Sequence, residues 1–275
     1  IIGAYFEVHS MKNNPFEQHG VEYLSPTSIN KFRKNPAKWL VNIAGYKDRF
    51  YSPAMSYGTC IEQGITHGCF DHNASVDDCI NATNLEYKKI YDKVIETKAD
   101  YDFDACAKKR EMTRDTIEAM LPLFRSFGIP TDAQLRVEHE IEDLPIPMIG
   151  YIDLLYKDCV RDIKTTGIQP KPKKDYQYQL SFYAKATGVT PIVDCIYSLK
   201  TKKELHSFEV SDIEQNWNEI KRIANKMMRL LSLSSDISEV CYLSCLEPDI
   251  SNEDFTNQWG TNEIIGAKKL FFERG

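Results

Sequence analysis

Residues 148–167 read MIGYIDLLYKDCVRDIKTTG, and residues 175–188, after a bridge of Lys and Pro residues, read DYQYQLSFYAKATG. Two short runs of alternating apolar residues flank Lys157-Asp158, the pattern of two strands joined by a tight turn. Any symmetric loop centred on Lys157-Asp158 sets Tyr156 against Cys159, Asp153 against Asp162 and Tyr151 against Lys164. Side chains two apart share a face of a strand, so Asp153, Asp162 and Lys164 fall on one face. Carboxylates opposed across a ladder repel unless something positive sits between them. A hard divalent cation meets that need, because it takes carboxylate oxygens and keeps water in its remaining positions. Lys164 then stands beyond the ion, near a metal-bound water or a phosphate under attack.

The ordered set Gly150-x-x-Asp153, Asp162-x-Lys164 and Gln179-x-x-x-Tyr183 resembles the PD-(D/E)XK nuclease superfamily. Its order and spacing look like the RecB-type and lambda-exonuclease-type branch, and are similar to those of mitochondrial genome maintenance exonucleases. D-x-K alone occurs by chance in many chains; the three motifs together, in this order, are much more specific. The resemblance implies an α/β fold, with a central mixed β-sheet flanked by helices (a restriction-endonuclease-like core) and a helical N-terminal part. It implies metal-dependent hydrolysis of DNA phosphodiesters, and exonuclease activity in recombination, repair or genome maintenance. Asp153, Asp162 and the carbonyl of Ile163 would bind one or two Mg²⁺ or Mn²⁺ ions. Lys164 would orient or activate the attacking water. Gln179 and Tyr183, four apart and hence on one helical face, would position the lysine or a phosphate.

Two further acids enter on the same footing. Ser52-Pro53 reads as a cap and first residue of a helix that carries Gly58-x-x-x-Glu62. Glycine weakens a helix interior by about 1 kcal/mol, which predicts a close approach to another backbone at Gly58. At the position of Glu62 the RecB-like relatives often have a metal-binding His, and the lambda-exonuclease-like ones an acid. Glu62 suits the second as a metal ligand; a surface glutamate is the plain alternative. Residues 135–141, LRVEHEI, alternate as a strand with Leu135, Val137, His139 and Ile141 on one face. The relatives carry a Glu on this strand, and the spacing favours Glu138 over Glu140 as a metal ligand.

The stretch from Leu24 into NKFRKNPAKWLV reads as a capped helix presenting Ile29, Phe32, Trp39 and Leu40. It is similar to an opening of RecB-like nucleases that helps form an arch facing nucleic acid. Some of those have a Cys before the Pro as an iron–sulfur ligand; here Asn35 precedes Pro36. Cys241 and Cys245 are only a pair, and a cluster needs four thiolates, so no iron–sulfur cluster is expected.

With 275 residues, 42% of them apolar and 27% charged, the chain can build a core without staples. Eight cysteines without a CxxC read as reduced thiols, hence an intracellular protein, cytoplasmic or organellar rather than secreted. No run of about eighteen apolar residues spans a membrane. The net charge of −6 does not help a nucleic-acid reading, since phosphate contacts usually leave a basic footprint. Local clusters partly answer it, and Ser28, Lys31, Arg33, Thr165, Thr166, Lys171, Lys173 and Lys174 are the candidate contacts. Taken singly, each cluster reads as a solvated face.

Residues 1–10 are read as an artificial extension before a natural start at Met11. Residues 11–275 are read as one nuclease domain, with a helical wall over about 24–128, a catalytic core over about 133–231 and a tail from 232. Residues 84–127 look mainly helical, 192–199 and 205–210 read as a hairpin, and 212–231 as a long amphipathic helix. Phe255, Trp259 and the AKKLFF segment of the tail are read as packing rather than as a base-stacking platform. The expected partner is DNA, as single- or double-stranded ends, with a homo-oligomer or a recombination or replication protein left open. The alternatives are a non-catalytic nucleic-acid-binding module on a nuclease fold, an endonuclease of the same superfamily, and a protein-interaction domain.

Overall fold

Alternation of apolar residues commits the middle of the chain to strands, and the sheet they build carries the acids. The computed structural model describes residues 14–48, 51–249 and 259–273. The strands are β1 (Asp132–His139), β2 (Met148–Leu155), β3 (Cys159–Thr166), β4 (Thr190–Ser198) and β5 (Lys203–Glu209), in that spatial order. The sheet is mixed: β2–β3 and β4–β5 pair antiparallel, and β3–β4 pair parallel. A parallel step needs a crossover, and helix α8 (Lys174–Thr187) supplies it. The β2–β3 turn closes with the Tyr156 N–H on the Cys159 carbonyl at 2.8 Å. Leu154 pairs with Arg161 and Leu155 with Val160, the register expected from a loop centred on Lys157-Asp158.

The described residues group into two compact units. The larger contains residues 48–139 and 149–220. On one face of its sheet, helices α4 (Pro53–Phe70) and α7 (Thr113–Arg125) bury Tyr57, Ile61, Ile65, Ile117, Met120, Leu121 and Phe124 against Leu154, Ile163 and Ile196. The Met120, Leu121 and Phe124 stripe is therefore core. Helices α5 (Val76–Thr97) and α6 (Phe103–Arg110) complete that layer, so the helical stretch expected over 84–127 begins earlier, behind a Ser75–Asp78 capping box. On the other face lies α8, held to the start of α9 (Ile213–Leu231) by Asn216 on Ser181. Helix α8 ends where Gly188 turns to φ 75, a conformation that suits glycine at a helix end. Strand β1 spans 132–139 rather than 135–141, and buried Ile141 lies outside it.

The smaller unit draws on residues before 48, on 140–148 and on residues from 221. The helix expected through Asn35 is two helices, α2 (Pro26–Lys34) and α3 (Pro36–Ile43), besides the short α1 (Pro15–Gln18). Proline disfavours helical geometry in the residue before it, and Asn35 ends α2 while its Oδ1 accepts the Lys38 N–H at 2.9 Å to start α3. Helices α10 (Ile237–Leu243) and α11 (Thr261–Ala267) follow, α11 running on as a π-helical turn over Lys268–Phe272. Trp259 and Phe271 are buried, so those aromatics pack. Phe255, Met11 and residues 1–10 lie outside the described residues. No described helix is long and apolar enough to cross a membrane.

Candidate active site

The β2–β3 hairpin brings Asp153 and Asp162 into the larger unit, 8% and 0% exposed. One step beyond the Leu154–Arg161 pair, the Asp153 carboxylate accepts the Ile163 N–H through Oδ2 at 2.7 Å. Lys164 Nζ lies 2.6 Å from Asp162 Oδ2 as an ion pair. That buried oxygen has no directed hydrogen bond.

Helix α8 reaches these strands through Gln179 and Tyr183. Gln179 Nε2 donates to Asp162 Oδ1 and to the Tyr183 hydroxyl, each at 2.9 Å. The Tyr183 hydroxyl donates in turn to the Tyr151 carbonyl. The chain therefore links β3, α8 and β2, and uses both hydrogens of the glutamine amide. Their polar groups hold Asp162, the ion-pair partner of Lys164, and the backbone of β2. Gly150 makes this seat possible. A Cβ there would fall 2.8 Å from Phe182 Cε1 and 2.9 Å from Tyr183 Cε1, so any side chain would lift the helix.

Glu62 arrives from α4. Ser52 caps that helix by accepting the Met55 N–H at 3.1 Å. A Cβ at Gly58 would fall 2.9 Å from Thr165 Oγ1, so the close approach expected at this glycine is made to a side chain of β3. One turn on, Glu62 Oε1 accepts a 2.5 Å hydrogen bond from Gln134 Nε2. Sequence reasoning missed Gln134. It belongs to a strand yet has φ 50, a left-handed backbone that no period-two pattern announces.

Glu62, Asp153 and Lys164 feel one another and the Asp162 charge at this end of the sheet. Burial pushes the Glu62 carboxyl up to about 7, with Lys164 opposing and Asp162 adding to the rise. Burial, then the Asp162 charge, raises the Asp153 carboxyl well above the usual range. Burial alone would lower the Lys164 ammonium, but Asp162 and Asp153 outweigh it and the net shift is upward. Burial also raises the Tyr183 hydroxyl, with Asp162 next.

Other expected residues are placed elsewhere or are already occupied. Glu138 pairs with Arg136 at 2.7 Å, both about half exposed, so β1 presents this glutamate to solvent. The Ile163 side chain is 4% exposed in the core, which leaves only its backbone for a ligand. The Ser28 hydroxyl is taken by its own cap, accepting the Ser25 N–H at 2.8 Å. Lys31 and Arg33 are on the exposed side of α2 in the smaller unit. Thr165 abuts Gly58, and the Thr166 hydroxyl accepts the Ile168 N–H at 3.2 Å. Lys171 is exposed, and Lys173 lies over the Tyr176 ring at 5.4 Å. Lys174 pairs with Glu219 at 2.8 Å and with Asn216 at 3.0 Å, so it anchors the start of α8 to α9.

The donor set fits a hard divalent ion in its chemistry: carboxylate oxygens from Asp153, Asp162 and Glu62, with one lysine against three acids. Among the described residues no three acidic, His or Cys side chains already converge on one point, and an ion would share Asp162 Oδ2 with Lys164.

Residues 23–240 match the family model of the PD-(D/E)XK nuclease superfamily. Among solved structures the chain is similar to one described as "Putative exonuclease" from Eubacterium rectale, at TM-score 0.56 and 11% identity, covering 84% of this chain and 87% of that one. At that identity the likeness speaks for the fold alone. A second, SSO0001, at TM-score 0.33 and 13% identity over 76% and 90% of the two chains, carries no argument. Among curated proteins none matches. The matched span includes both aspartates, the lysine and the α8 brace, and the chain belongs to the PD-(D/E)XK nuclease superfamily.

Proposed function

We propose that this nuclease is a divalent-metal-dependent DNA exonuclease acting in recombination, repair or genome maintenance. The observation that carries the reading is the group Glu62, Asp153, Asp162 and Lys164, three acids against one lysine, with Asp162 held from behind by Gln179. Asp153, Asp162, Glu62 and the Ile163 carbonyl would hold Mg²⁺ or Mn²⁺. Bound there, the ion would supply an acidified water and offset charge on the phosphate and leaving oxygen.

The chain's own groups do the rest. The Ile163 N–H fixes one oxygen of Asp153, and Gln179 fixes one of Asp162, so neither acid has to reorganise when substrate arrives. The Lys164 ammonium orients the attacking water or a phosphate oxygen and offsets the charge that develops there. The Tyr183 hydroxyl, on the Tyr151 carbonyl, keeps β2 and α8 at a fixed separation. DNA ends are favoured as substrate by the likeness of the three motifs to exonuclease branches.

End-labelled single- and double-stranded DNA, linear and circular, incubated with Mg²⁺, Mn²⁺ or EDTA, tests this. Loss of linear but not circular DNA, dependent on metal and absent from Lys164→Ala, is the expected result. Cleavage of circles would make the protein an endonuclease. Binding without cleavage in any metal would make it a nucleic-acid-binding module.

A further inference from the structure

We propose that Gln134 is a positioning residue that holds Glu62 as the third carboxylate ligand of the divalent ion. The proposal rests on the metal-dependent reading above. Three observations lead to it.

The first is conformational. Gln134 has φ 50 within β1, and a side chain other than glycine rarely takes that backbone. Outliers of this kind persist where the surroundings over-determine them, often at functional sites. Here the left-handed residue leaves the alternation of the strand intact, and its exposed amide reaches Glu62, 72 residues away in sequence, at 2.5 Å.

The second is chemical. An ionised carboxylate only accepts, so the glutamine presents its N–H. A neutral donor orients the acid without cancelling its charge. A lysine or arginine here would form an ion pair and compete with the cation; an acid would repel Glu62.

The third is a pattern shared by all three acids. Each has one oxygen held by an uncharged N–H: Glu62 by Gln134 at 2.5 Å, Asp162 by Gln179 at 2.9 Å and Asp153 by the Ile163 amide at 2.7 Å. Among the described residues, neither Glu62 Oε2 nor Asp153 Oδ1 has a hydrogen bond. Partners that orient ligands in this way usually carry about 10–100-fold of metal affinity. Gln179 is part of the recognised motif; Gln134 is its counterpart for the acid on α4.

The test is Mn²⁺ affinity without substrate, by electron paramagnetic resonance, together with urea unfolding in EDTA. Gln134→Gly removes the amide and is at ease at φ 50, so its unfolding midpoint should hold or rise while Mn²⁺ affinity falls about 10–100-fold. A Gln134→Gly protein that binds Mn²⁺ as tightly as wild type would overturn the proposal, and a lowered midpoint with unchanged affinity would make the role structural. A wild-type protein that binds no Mn²⁺ would overturn the metal-dependent reading itself.

Discussion

Replacing Glu62 with glutamine probes the charge balance of the site in the absence of metal. Burial, opposed by Lys164 and assisted by Asp162, pushes the Glu62 carboxyl up to about 7. In the unfolded chain a glutamate loses its proton near pH 4.3. Between those two values the folded protein holds the proton and the unfolded chain does not, so stability falls as pH rises through that window. At about 1.4 kcal/mol per pH unit the full loss is about 4 kcal/mol, complete above pH 7. Glutamine keeps the shape of Glu62 and the oxygen that accepts from Gln134, but never ionises. In EDTA, the stability of Glu62→Gln relative to wild type should therefore grow by about 2–3 kcal/mol between pH 5 and pH 8. Urea unfolding at the two pH values, with the slope checked for constancy, measures it. Added Mn²⁺ at pH 8 should then stabilise the wild type more than the variant, because only binding to the folded state shifts the equilibrium. An advantage that stays flat or shrinks with pH would refute the reasoning.

Further substitutions test how the site is built. Gly150→Ala drives a methyl to 2.8 Å from the fully buried Phe182 ring, and should cost about 1–3 kcal/mol in urea unfolding and lower nuclease activity together. Gly58→Ala meets Thr165 Oγ1 at 2.9 Å; the loss should be recovered in Gly58→Ala/Thr165→Ala, a coupling that two independent sites would lack. Arg161→Met strips the guanidinium that donates to both oxygens of fully buried Asp194 at 2.9 Å, and should cost about 3–5 kcal/mol, largely restored when Asp194→Asn is added.

The hairpin was legible because its turn is short. Once Lys157-Asp158 is the loop, every facing pair follows, and the Leu154–Arg161 register agrees. The break at Asn35 was legible too, from Pro36, but the expected helix ran through it. What a local pattern cannot supply is convergence over long distances. Glu62 and Glu138 both stood open as further ligands; only the structure shows Arg136, two residues away, paired with Glu138, and Glu62 on a helix far earlier in the chain feeling Lys164 and Asp162. Lys174 looked like part of a free basic loop because its partner Glu219 lies on α9, more than forty residues on. Gln134 was hidden for a different reason: a single residue in the left-handed region leaves no periodic trace. The reason for Gly150 is likewise invisible until the rings of α8 are laid against β2. Nor does the sequence announce that the smaller unit is assembled from three separate stretches.

The most direct test of the central claim is release of nucleotides from end-labelled linear DNA by wild type, Asp162→Ala and Lys164→Ala, with Mg²⁺ or Mn²⁺ and with EDTA. The account predicts release by wild type in metal only, and none from either variant, with circular dichroism and urea unfolding confirming that both variants stay folded. Release in EDTA, or undiminished release by folded Lys164→Ala, would contradict it.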